Sequence, residues 1–93
     1  MNDDEFLAKV KLEYKRARTL FPPFKSGHEG YAVILEELDE LWDSIKGVHN
    51  SNSTESGMTT ECIQIAAMAM AFHLDLLQGS LSTEDQTTLR SEK

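Results

Sequence analysis

Five consecutive residues near the middle of the chain, Glu36-Glu37-Leu38-Asp39-Glu40, carry four carboxylates. Acids this close repel one another, so a plain surface helix gains little from them. They lie inside an apolar pattern from Tyr31 to Ile45, in which Ile34, Leu38, Leu41 and Ile45 recur at helical spacing with Leu35 and Trp42 on the flank. At about 100° per residue, Glu37 and Glu40 fall on one shoulder of that stripe, about 60° apart. Asp39 and Asp43 are expected to face water. Two carboxylates one turn apart beside a core face can hold a hard divalent cation, which prefers oxygen ligands. A later apolar stretch offers a matching pair, Glu61 and Gln64, also three residues apart. The chemistry this predicts is a cation held between two helices.

Those residues need helices to position them. The spacing of Phe6, Leu7, Val10, Tyr14 and Ala17, closed by Leu20 and Phe21, predicts a first helix over 4–20 with Asp3 or Asp4 as its cap. Lys9, Lys11, Lys15, Arg16 and Arg18 fill its other face, and Pro22-Pro23 ends it. Phe24 is expected to fold back onto the core. Ser26, with Glu29 three residues on, reads as a capping box opening a second helix over 28–46 that stops at Gly47. Gly30 near its start costs about 1 kcal/mol of helix propensity, which points to a close approach there. Residues 48–57 read as a polar loop. Thr59 or Thr60 then caps a third helix over 59–78, with a stripe of Ile65, Ala69, Phe72 and Leu76 continued by Met58 and Cys62. Cys62 is read as core packing. The run Ala66-Ala67-Met68-Ala69-Met70-Ala71 is apolar nearly all round, as in helices buried on more than one face. Ser82-Thr83-Glu84-Asp85 predicts a short C-terminal helix over 82–90. The fold class is all-α: one domain over 1–93, three main helices and a short fourth.

The 93 residues bury only roughly 60–65% of the unfolded surface, so completion by a homodimer or homotetramer is expected. No run of about 18 apolar residues is seen, so no membrane span is expected. The acidic start lacks a signal peptide's basic and apolar regions, and one cysteine excludes an internal disulfide. Both fit a cytoplasmic protein. Net charge is −7, divided as +2 over 1–27 and −9 over 28–93. That balance argues against nucleic-acid binding, which needs a basic face. An acidic site attracts a phosphate only once cations fill it. His28, His49 and His73 share no ligand spacing.

The pattern Glu36-Glu37-x-x-Glu40, a gap of twenty residues, then Glu61-x-x-Gln64 resembles the signature of the MazG-type all-α nucleoside triphosphate pyrophosphohydrolases. That signature is two glutamates, two spacers, a glutamate, a variable gap, then glutamate, two spacers and aspartate. The resemblance covers roughly residues 28–78. It implies magnesium, or manganese, held by Glu37, Glu40 and Glu61, with these acids catalytic. It also implies hydrolysis of a (d)NTP to its monophosphate and pyrophosphate. Gln64 stands where the family has aspartate: an amide oxygen can still coordinate, but it brings no charge. Asp75 lies ~16 Å beyond Gln64 along a helix and cannot replace it. From charge, Lys11, Lys15 and Arg18 are candidates to steady the outer phosphates. Phe24, Tyr31 or Trp42 could stack on the base. The departure at Gln64 keeps a second reading open, a non-catalytic helical module that binds a nucleotide or a protein. A third is a purely structural helical oligomer in which the acids are incidental.

Overall fold

The computed structural model describes residues 1–47 and 55–78, and the described residues are helical with short connections and no strands. Helix α1 spans Asp3–Leu20, α2 Gly27–Lys46 and α3 Glu55–Phe72, and α3 runs on into a π-helical turn, His73–Gln78. The expected short helix over 82–90 lies outside the described residues.

Each start and stop has a local cause. The cap of α1 is Asn2 rather than Asp3 or Asp4. Its side chain accepts the Glu5 N–H at 2.9 Å, and the Glu5 carboxylate accepts the Asn2 N–H at 3.0 Å. The reciprocal pair frees Asp3 and Asp4 to sit in the first turn, where the helix dipole favours acids. Ser26 caps α2 as expected, accepting the Glu29 N–H at 3.1 Å. Glu29, however, reaches one residue further back, to the Lys25 N–H at 2.7 Å. Gly47 ends α2 in the left-handed region at φ 77°, and its N–H closes on the Asp43 and Ser44 carbonyls. Helix α3 begins at Glu55, a full turn before the expected cap at Thr59 or Thr60, so 55–57 are helical rather than loop. A first turn needs no apolar period, because its N–H groups have no partners within the helix in any case.

The main packing runs through α3, which lies against both α1 and α2. Small side chains make that possible: Ala67 and Ala71 are buried on α3, Val10 on α1, and Gly30 and Ser44 on α2. The predicted stripes are rotated from these contacts. On α3, Ala69 and Cys62 are exposed, correcting the assignment of Cys62 to the core. A helix apolar on nearly all sides does not fix by its own sequence which side faces inward. On α2, Leu38 and Ile45 are exposed, and the face against α3 is Gly30, Val33, Glu37 and Ser44, flanked by half-buried Ile34 and Leu41. The expected close approach at Gly30 is present. A Cβ there would come within 2.5 Å of the Phe72 ring and 3.3 Å of the Phe24 ring.

Asp75 ties the far end together. Its carboxylate pairs with Arg18 at 2.8 Å and accepts the Phe24 N–H at 2.8 Å. The π-helical turn that carries it widens the helix at the point where α1 and the Phe24 segment meet α3. The stretch Gly57–Gln78 is long and apolar enough, by length and composition alone, to cross a membrane, a property that counting only uninterrupted apolar residues overlooks. Here it is the helix on which the other two pack.

Candidate metal centre

Glu37 and Glu40 stand one turn apart on α2, and α3 brings Glu61 against them. One carboxylate oxygen from each lies within 4.8 Å of the other two. Glu61 is 6% exposed, Glu37 is half-buried and Glu40 is open to solvent. Glu37 Oε1 and Glu61 Oε1 are both buried and neither has a hydrogen-bond partner. Two carboxylates against each other resist being charged together, and a proton on one or a cation between them relieves the repulsion. The protonation behaviour follows. Burial, then the charges of Glu40 and Glu61, pushes the Glu37 carboxyl up to about 7. Burial, then Glu40, raises Glu61. Three carboxylate oxygens this close could hold one hard divalent cation once the side chains draw together on it. Three carboxylates and no nitrogen or sulfur donor favour magnesium, manganese or calcium over zinc or copper.

The other expected residues are spread more widely. Gln64 is half-buried and lines a groove between α1 and α3 with Lys9, Glu13, Arg16 and Thr60. Lys11 and Lys15 are exposed on α1. Arg18 stacks over the Tyr14 ring, 4.7 Å from its centroid, and its guanidinium is held by Asp75. Trp42 is exposed on the outer side of α2 with the Lys46 ammonium over its ring. Glu36 and Asp39 are exposed, as are His28 and His73, whereas Asp43 is half-buried and 3.8 Å from Lys46. His49 lies outside the described residues.

A cleft of about 290 Å³ opens between the end of α1, the Phe24 segment, α2 and α3, lined by Phe21, Phe24, Val33, Met68 and Ala71 with Glu36, Arg18 and Asp75 at its polar edge. Val33 and Glu36 place it about one turn along α2 from Glu37 and Glu40. Its only foreshadowing in the sequence is the expectation that Phe24 folds inward. No known protein family matches this chain, and neither does any curated protein or solved structure.

Proposed function

We propose that this chain is a magnesium-dependent nucleotide pyrophosphohydrolase of the MazG type, converting a nucleoside triphosphate to its monophosphate and pyrophosphate. The observation that supports the reading is the convergence of Glu37, Glu40 and Glu61 from two helices, with the buried Oε1 atoms of Glu37 and Glu61 facing no N–H or hydroxyl donor. These three residues would hold the ion, and manganese would satisfy the same donors. Such an ion, when bound, supplies charge neutralisation at the phosphoryl oxygens and a more acidic water. The chain's own residues would supply the rest. The cleft beside the acids offers the Phe24 ring to a base. Lys11 and Lys15, exposed on α1, are assigned to the outer phosphates from charge alone. Arg18, engaged by Asp75, acts as a positioning residue for the Phe24 wall rather than as a free phosphate clamp. The direct test is pyrophosphate release from a panel of nucleoside triphosphates with magnesium or manganese. Turnover that disappears in Glu37→Gln and in Glu61→Gln is expected. No release from any triphosphate with either ion would reject the reading.

A second reading is a non-catalytic module of the same shape, and Gln64 favours it. The neutral amide replaces a fourth charge, and it sits in the α1–α3 groove beside Arg16 and Lys9. Calorimetry separates the two. Cation or nucleotide binding without turnover, with turnover gained in Gln64→Asp, selects the module.

A further inference from the structure

One row of helix α2 joins the acid cluster to the cleft. Glu29, Val33, Glu36 and Glu40 recur at 4-3-4 spacing, which at about 100° per residue keeps them within about 60° of one another. The first three line the cleft, and the fourth belongs to the acids. Glu36 stands one turn, about 6 Å of rise, before Glu40. The wall facing this row is apolar, with Phe21, Phe24 and Met68. Most of the polar edge is already committed. The two Asp75 oxygens are taken by Arg18 and by the Phe24 N–H, each at 2.8 Å. Arg18 is held by that pairing and by its stacking on Tyr14. Glu29 turns back to the Lys25 N–H at 2.7 Å. Glu36 is exposed and accepts no hydrogen bond from any described residue, so both of its oxygens are free to meet a ligand.

We propose that the cleft selects a guanine ring, stacked on Phe24, with Glu36 reading its edge. The inference rests on the reading of acids and cleft as one nucleotide site, and it names the base that site prefers. An ionised carboxylate offers acceptors only, two oxygens side by side. Guanine alone among the common bases presents two neighbouring donors on its Watson–Crick edge, the ring N1–H and the 2-amino group. One carboxylate can take both in parallel charge-assisted hydrogen bonds. On the same edge adenine and cytosine set one amino donor beside a ring-nitrogen acceptor. Uracil and thymine set one N–H between two carbonyls. An acceptor-only partner meets those lone pairs with repulsion and leaves them unpaired. Size points the same way. A cleft of about 290 Å³ lies at the low end of small-molecule pockets, roughly 300 Å³, and suits one ring system rather than a whole nucleotide. Its apolar wall shields the edge contact from water, which strengthens each hydrogen bond made there.

Nucleosides test this without phosphate or metal. NMR titrations of the full chain with millimolar guanosine, inosine, adenosine and uridine should move the Phe24, Val33 and Met68 signals. Guanosine should bind about tenfold tighter than inosine, which lacks only the 2-amino group, and uridine should bind weakest. Glu36→Gln lies at an exposed position outside the acid triad, so the fold should persist while one acceptor becomes a donor. Guanosine should then bind no better than inosine. Equal binding of all the nucleosides, no shifts at all, shifts confined to residues outside the cleft, or a guanosine preference unchanged in Glu36→Gln overturns the assignment. The readout is binding alone, so it separates from turnover. A Glu36-dependent guanosine preference, with no pyrophosphate released from any triphosphate, upholds the base assignment and rejects the hydrolase. Pyrophosphate release without that preference does the reverse.

Discussion

Glu37 carries the sharpest consequence at the level of single residues. Its folded-state carboxyl titrates near 7, against an ordinary value of 4.5. Between those values the folded protein holds more protons than the unfolded chain, so stability falls as pH rises through that window and levels off above it. Glu61 is raised too and acts in the same direction. Denaturant midpoints measured without divalent cations should therefore drop from pH 5 to pH 7.5. Glu37→Gln should remove most of that slope and gain on the order of 1 kcal/mol at pH 8, a figure already discounted for solvent screening. A flat profile in the unsubstituted protein would contradict the packing of Glu61 against Glu37. The sequence made this cluster legible because period and charge coincide: acids at i and i+3 beside an apolar stripe are an unusual use of a helix. It did not reveal that Glu61 would be buried. That depends on α3 being narrow enough, with Ala67 and Ala71, to lie close to α2.

Among the elements, the join of α1, α2 and α3 at the Phe24 end is the place where small changes should cost most. Gly30→Ala would gain about 1 kcal/mol in helix propensity. The added methyl, however, meets the Phe72 ring at 2.5 Å and the Phe24 ring at 3.3 Å, and overpacking of that kind costs about 1–3 kcal/mol. A net loss of about 1 kcal/mol by urea denaturation is expected. Asp75→Ala strips Arg18 of its partner and leaves the Phe24 N–H without an acceptor. With its side chain only 9% exposed, the loss should be about 3 kcal/mol, and the near-ultraviolet signal of the aromatic cleft should weaken with it. The existence of the three helices was readable, and so were both ends of α2 from Ser26 and Gly47 and the end of α1 before Pro22-Pro23, since those signals are local; the starts of α1 and α3 were not. Which side of each helix faces inward was not. On α2 two apolar stripes compete, and only the partner helix decides between Val33 with Glu37 and Leu38 with Ile45. The same ambiguity put Cys62 in the predicted core and on the actual surface.

At the scale of the whole molecule, the proposed site would couple cation, proton and stability. A divalent ion bound by Glu37, Glu40 and Glu61 would displace the proton that burial favours, so its effect would grow with pH. Magnesium or manganese at about 100 times its dissociation constant should stabilise the fold by about 2.7 kcal/mol at pH 8 and by far less at pH 5. Thermal melts with and without the ion would show it. The same shift in Glu37→Gln would place the ion elsewhere. The all-α architecture was legible from composition and period alone. The cleft was not, because it is bounded by four segments that only the folded chain assembles.

The order of the helices along the chain bears on how the protein is made. Its most apolar segment, Gly57–Gln78, leaves the ribosome after α1 and α2 are already complete. A stretch of that length and hydropathy, emerging alone, would be open to aggregation or to capture by a membrane. Emerging after them, it meets two waiting amphipathic helices that lack so apolar a helix to pack on until it arrives. A circular permutant that placed this segment first should lose soluble yield during synthesis even if its final fold were unchanged.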